Sequence, residues 1–191
     1  MKNNLKNRMI KQVTAMPLTV MTVGHSTRPV DAFTHLLRAH GVQRLVDVRT
    51  VPRSRHNPQF NRDQLSLALH SARIHYSCMP GLGGFRHAQP DSVNMGWHNS
   101  SFRGYADYMQ TAEFEKYLDE LIELAKQERI AVMCAEAVPW RCHRSLIADA
   151  LSVRGIEVRE ITSATGTRLH TLTPFAKVSG TQVTYPAAQS A

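Results

Sequence analysis

The chain of 191 residues has only three cysteines, Cys78, Cys134 and Cys142, and no Cys-x2-Cys or His-x3-His pair. An odd number of thiols without a secretory leader excludes a disulfide framework and argues for reduced cysteines in the cytoplasm. No apolar run approaches the roughly 20 residues needed to cross a bilayer. The short PLTVMTV that follows the basic N-terminus lacks a small-residue cleavage pattern, which excludes a signal peptide and leaves no role for a membrane. Internal repeats and low-complexity tracts are absent as well, so solenoids and disordered linkers drop out, and no pattern specifies an oligomer. Acidic residues are the minority, 15 against 23 basic, for a formal charge of +8. Such a surface attracts anions, whether nucleotides, phosphates or nucleic acid.

A composition 42% hydrophobic and 20% charged is that of one soluble globular domain. Residues 1–16, carrying Lys2, Lys6, Arg8 and Lys11, read as a basic, flexible tail ahead of a single α/β domain over 17–191. Within that domain strand-like and helix-like runs alternate. Leu18 to Val23 is a β-rich run closed by Gly24. Phe33, Leu36, Leu37 and His40 then mark one face of a helix whose first turn suits Pro29 and which stops at Gly41. Val42 to Arg49 is a second strand. Leu65, Ala68, Leu69 and Ala72 give a second helix, capped by Asn61. Ile74 to Met79 is a third strand, and Gly81, Gly83 and Gly84 follow as a flexible turn.

Residues 85–103 are polar and aperiodic, as expected of a lid or binding loop, with Trp97 and Phe102 placed either to stack a base or to pack locally. One helical region spans about Tyr105 to Glu128. A strand at Ile130 to Met133, a helix over 143–154 and a strand at Ile156 to Ile161 follow. This alternation predicts a mostly parallel, doubly wound (Rossmann-like) sheet with helices on both faces, and 168–185 adds a C-terminal β-hairpin or antiparallel edge.

In such sheets ligands bind outside the carboxyl ends of the strands. The segments that follow the strands therefore share one rim: Gly24 to Arg28, Asp47 to Arg55, the Gly81 to Gly84 turn, and VMCAEAVPWRCHRS over 132–145. Asp47, Glu136, Cys134, Cys142 and His143 are the candidate catalytic groups, combining acids, thiols and an imidazole. His25, Ser26, Arg49, Arg53, Ser54, Gly83, Gly84 and Arg144 are candidate substrate and anion contacts, because a guanidinium offers paired donors to phosphate or carboxylate. Arg55 shares this loop. Some of these arginines alternatively pair Asp47 or Glu136, and Ser26 or Thr27 alternatively caps the next helix.

Cys134 at a strand end has the setting of a rhodanese or cysteine phosphatase nucleophile. A Cys-x5-Arg loop is missing, however, because Arg141 lies seven positions further on. Cys142 at the start of a helix is aided toward ionisation. A metal held by Cys134, Cys142 and His143 lacks paired-ligand spacing, so no cofactor is expected.

Taken together, TVGHST (22–27), DVRTVPRSR (47–55), LGG (82–84), MCAEAVPWRCHRSLIAD (133–149) and the terminal LTPFAKV and VTYP runs resemble the family known as domain of unknown function number 488, from about Val20 to Pro186. The resemblance implies a single α/β domain, with His25, Ser26, Asp47, Arg49, Pro52, Ser54, Gly83, Gly84, Cys134, Glu136, Cys142, His143 and Arg144 as signature positions. It implies no established activity. The reading that follows is an enzyme, a hydrolase or group transferase acting on a phosphorylated or nucleotide-like anion. The alternatives are a non-catalytic nucleic-acid-binding or DNA-repair accessory protein, and a thiol-based redox or sulfur-transfer protein.

Overall fold

A computed structural model describes residues 17–188; the basic stretch over 1–16 lies outside the described residues. Six strands form one sheet in the order β3-β2-β4-β1-β5-β6. They are β1 (Thr19–Gly24), β2 (Arg44–Asp47), β3 (His75–Cys78), β4 (Ile130–Cys134), β5 (Glu157–Ile161) and β6 (Thr167–Leu169). The first five run parallel and β6 is an antiparallel edge on β5. β7 (Lys177–Ser179) and β8 (Gln182–Thr184) form a separate hairpin that turns at Gly180, whose φ is +60°. The C-terminal region thus supplies both an antiparallel edge and a hairpin.

Side chains alternate across the strands, so each face of the sheet takes its own helices. Met21, Val23, Leu45, Ala131 and Met133 pack against Phe33 and Leu37 of α1 (Val30–Ala39) and Leu65 and Leu69 of α2 (Arg62–Ser71). Val20, Val46, Val132 and Val158 face the other way. They meet Phe114, Leu118 and Leu121 of α4 (Ala112–Gln127) and Leu146 and Leu151 of α5 (Arg144–Ser152). Each Leu or Phe buried in these layers contributes about 2 kcal/mol of transfer free energy. No helix among the described residues is long and apolar enough to cross a membrane.

The single helical region expected from about Tyr105 to Glu128 is two helices. α3 spans Ser100–Tyr108, and a turn through Met109 to Thr111 separates it from α4. The Thr111 cap decides the division, its Oγ1 accepting from the amide of Phe114, while Asn99 Oδ1 starts α3 by accepting from the amides of Ser101 and Phe102. α3 therefore absorbs the end of the polar insertion. The rest of the insertion is pinned to it, because the Asp107 carboxylate accepts from Gln89 N, Ser92 Oγ and Asn94 Nδ2. Asn61 precedes α2 as expected but does not cap it; its Oδ1 accepts instead from Ser54 N at 2.7 Å. Nor do Ser26 and Thr27 cap α1, whose N-terminal flank is Pro29.

β1 and β4 pair in register with Gly24 level with Cys134, and the pairing continues past both strands, His25 N donating to Cys134 O at 3.0 Å and Ser26 N to Ala135 O at 2.9 Å. The chain after β4 then crosses β1 so closely that a Cβ on Gly24 would lie 1.8 Å from the Glu136 carbonyl oxygen. Gly24→Ala forces backbone to move in two elements. We expect it to destabilise the fold by about 1–3 kcal/mol or more, read as a shift in the urea midpoint; an unchanged midpoint would contradict this close approach.

Candidate functional site

The segments that follow β1, β2 and β4, Gly84 and Phe85, the first turn of α3 and the residues just ahead of α5 enclose a cavity of about 390 Å³. Nine of the residues singled out from sequence line it: His25, Arg49, Arg53, Ser54, Gly84, Cys134, Glu136, Cys142 and His143. Asp47, Ser26, Gly83 and Arg144 do not. Arg141, Ser101, Phe102 and Phe85 join the lining without having been assigned there. Phe102 and Ser101 arrive on α3, whose approach to the rim is a tertiary event.

Asp47 is fully buried and its oxygens are committed. Arg49 Nε donates to Oδ1 at 2.9 Å, Arg49 Nη2 to Oδ2 at 2.6 Å, Arg49 N to Oδ1 at 3.1 Å and the Tyr76 hydroxyl to Oδ2 at 2.8 Å. Burial, reinforced by this carboxylate, pushes Tyr76 far above the usual phenol range, so it remains a donor. Asp47 therefore orients Arg49 rather than facing a substrate. Arg49 is held in turn: Nη2 also donates to Phe60 O at 2.8 Å and Nη1 lies 3.3 Å from His25 Nε2, which commits four of its five N–H donors.

His25 closes this chain of bonds. Its Nδ1 lies 2.7 Å from Ser26 O, which can only accept, so Nδ1 carries the proton and Nε2 accepts from Arg49. The ring stacks on Phe60 at 4.1 Å. Burial in the first place, with Arg49 and Arg144 assisting, lowers its pKa from 6.5 to about 4, and it is neutral at pH 7. Ser26 takes a positive φ of 52°, carrying the chain away from the cavity.

On the opposite wall Cys134, Cys142 and His143 bring their ligating atoms within 4.8 Å of one another. Cys142 Sγ is 3.8 Å from His143 Nδ1, just ahead of α5. Of the pair, Cys142 is the thiol driven toward ionisation. The hydrogen bond from Cys134 lowers its pKa far below the thiol range, assisted by His143 and Arg144 and opposed by burial. Cys134, which donates that bond and is buried, is raised. Two sulfurs and an imidazole could equally hold a soft divalent cation such as zinc, with the cavity as the open coordination position. Folding thus joins three ligands whose separation along the chain gave no such sign.

Gly83 and Gly84 provide space rather than donors. A Cβ on Gly84 would meet the His143 ring at 2.5 Å, and one on Gly83 would meet Thr50 Oγ1 at 2.2 Å. Ser54 is turned to its own loop, its Oγ accepting from Asn57 N. The exposed groups at the rim are Glu136, Arg53 and Arg141, and among the described residues neither guanidinium is paired with a carboxylate. Arg144 lies beneath this wall, 1% exposed, with Nη2 donating to Glu136 O at 2.6 Å. Its guanidinium lines a different cavity.

These features define a doubly wound α/β domain with a thiol- and arginine-lined crevice at the carboxyl ends of its strands. Over residues 29–151 the chain matches the family model described as domain of unknown function DUF488, and it belongs to that family. That span is narrower than the resemblance over 20–186 and leaves His25 and Ser26 outside it. Neither the curated proteins nor the solved structures gave a match.

Two outcomes follow for pH. A small thiol reagent such as methyl methanethiosulfonate should modify Cys142 at pH 5 almost as fast as at pH 7, and Cys78, whose thiol burial pushes up, many-fold more slowly; mass mapping that finds Cys142 inert at pH 5 contradicts the thiolate assignment. His25 binds a proton more weakly folded than unfolded, so the unfolded state takes up more protons and stability falls as pH drops from about 6.5 to about 4. In His25→Gln, urea melts across that window should show a flatter slope.

Proposed function

We propose that the protein is an enzyme acting on a small phosphorylated or nucleotide-like anion, by hydrolysis or group transfer, in the crevice between His25 and His143. The observation that carries this reading is that Arg53 and Arg141, whose guanidiniums have no carboxylate partner among the described residues, line the same cavity as Cys142. A cavity of about 390 Å³ has the size of a small-molecule site, and Glu136 at its rim would repel a polymeric phosphate backbone. These two features favour a small substrate over nucleic acid.

In this reading Arg53 and Arg141 hold the anionic group. The Cys142 thiolate attacks the electrophilic phosphorus or carbon, forming a bond to sulfur as the bond to the leaving oxygen breaks. His143 supplies the proton that the leaving oxygen takes; the Glu136 carboxylate then takes the proton of the water or acceptor hydroxyl that cleaves the bond to sulfur, which restores the thiolate. Cys134 donates a hydrogen bond that keeps Cys142 ionised. Arg49 and Asp47 hold the floor.

The test is a panel of phosphomonoesters, phosphodiesters and nucleoside phosphates, assayed on the full chain with and without added zinc. Turnover of at least one compound is expected. Arg53→Ala and Arg141→Ala should each raise KM about tenfold or more, the loss of one charge-assisted contact. Glu136→Gln should lower kcat about a hundredfold, and Cys142→Ser should abolish turnover. If no anion in the panel is turned over or shifts the melting temperature, or if activity survives in Cys142→Ser and Glu136→Gln, the reading is wrong.

A further inference from the structure

On the other side of the 137–145 segment lies a second cavity, of about 570 Å³, lined by Arg144, Trp97, Trp140 and Phe175 among others. Its floor contains a guanidinium with unsatisfied donors. Of the donors of Arg144, Nη2 reaches Glu136 O, while Nε and Nη1 are buried and have no hydrogen-bond partner among the described residues. The carboxylate lining the same cavity, Glu160, is taken by Arg168. Buried donors left without acceptors are unfavourable unless something supplies them.

A second orphan points to the same place. Trp97 Nε1 is buried and unpartnered, and its indole is fixed by Phe102 at 4.7 Å, Phe175 at 5.0 Å and Tyr185 at 5.5 Å. The wall opposite is equally fixed. The fully buried Asp149 carboxylate accepts from His170 Nε2 at 2.7 Å, Thr173 N and Oγ1, and the Tyr185 hydroxyl, clamping the segment after β6 onto α5. At the mouth stands Trp140, 62% exposed, with the Arg168 guanidinium 5.1 Å from its ring centre.

We propose that this cavity is a second ligand site, for an organic anion whose carboxylate or phosphate sits against Arg144 and Trp97 Nε1 and whose flat apolar body lies along Trp140 and Phe175. The three orphaned nitrogens, Nε and Nη1 of Arg144 and Nε1 of Trp97, then have an acceptor within the cavity. The rings provide the apolar surface that such sites combine with a few fixed polar groups. This site is separate from the crevice of Arg53 and Arg141 and does not depend on the reaction proposed there.

The chain's two tryptophans are Trp97 and Trp140, so intrinsic fluorescence reports on this cavity alone. The full chain is titrated with phenyl phosphate, benzoate, inorganic phosphate and, as a neutral control, benzyl alcohol. The expected result is a saturable change with phenyl phosphate or benzoate and none with benzyl alcohol; the tighter of the two anions identifies the head group. Trp97→Phe, which keeps the ring packing and removes the N–H, should weaken binding about tenfold, read from Trp140. Arg144→Lys should weaken it at least as much, while the Arg53→Ala/Arg141→Ala double variant leaves it unchanged. The proposal is overturned by the absence of saturable binding of either aromatic anion, by equal affinity in Trp97→Phe, or by loss of binding in the Arg53/Arg141 double variant.

Discussion

Everything at the rim depends on one close crossing, the Glu136 carbonyl passing over Gly24. Only a residue without a Cβ lets the chain leaving β4 lie across the end of β1, and Arg144 holds that carbonyl from below. The crossing sets His25 opposite Cys134. It also raises residues 137–145 into a partition with the thiol crevice on one side and the tryptophan-lined cavity on the other. Arg144, at the foot of the partition, contributes to the electrostatics of His25 and both thiols, and two of its nitrogens are without a partner among the described residues.

The Asp47–Arg49 pair is the second constraint. Two charges taken wholly out of water repay desolvation only with good geometry and further hydrogen bonds. Here the bond is bidentate, and Tyr76, the Arg49 amide and Phe60 O complete it. The outcome is positional. The fixed guanidinium donates to His25 and holds it as a neutral Nδ1–H tautomer, and neither member of the pair retains the freedom that a substrate contact or proton carrier needs.

The strand and helix alternation was legible because each element carries its own period: Phe33, Leu36 and Leu37 on α1, Leu65 and Leu69 on α2, and unbroken apolar runs in β1 and β4. That the segments after the strands share a rim followed from parallel order alone, and nine of thirteen candidate residues meet there. Less legible was whatever depends on partners distant in sequence. The break between α3 and α4 rests on the cap at Thr111 inside a pattern that reads as one amphipathic helix. Asn61 has the identity of a cap but bonds to Ser54. Asp149 anchors the C-terminal segment, and its only sign in the sequence is a carboxylate within the apolar run LIADAL.

By itself the sequence determined the doubly wound α/β class, the strands, and the concentration of thiols, guanidiniums and acids after them, because periodicity and local composition act over a few residues. Tertiary structure decided which of those groups are free to act. Identical side-chain chemistry became a buried, mutually bonded pair at Asp47 and Arg49, open cations at Arg53 and Arg141, a thiol driven toward ionisation at Cys142 but away from it at Cys134, and a buried guanidinium with two unpartnered nitrogens at Arg144. The physical reason is that ionisation and availability are properties of burial and neighbours, and neither exists until the chain is folded.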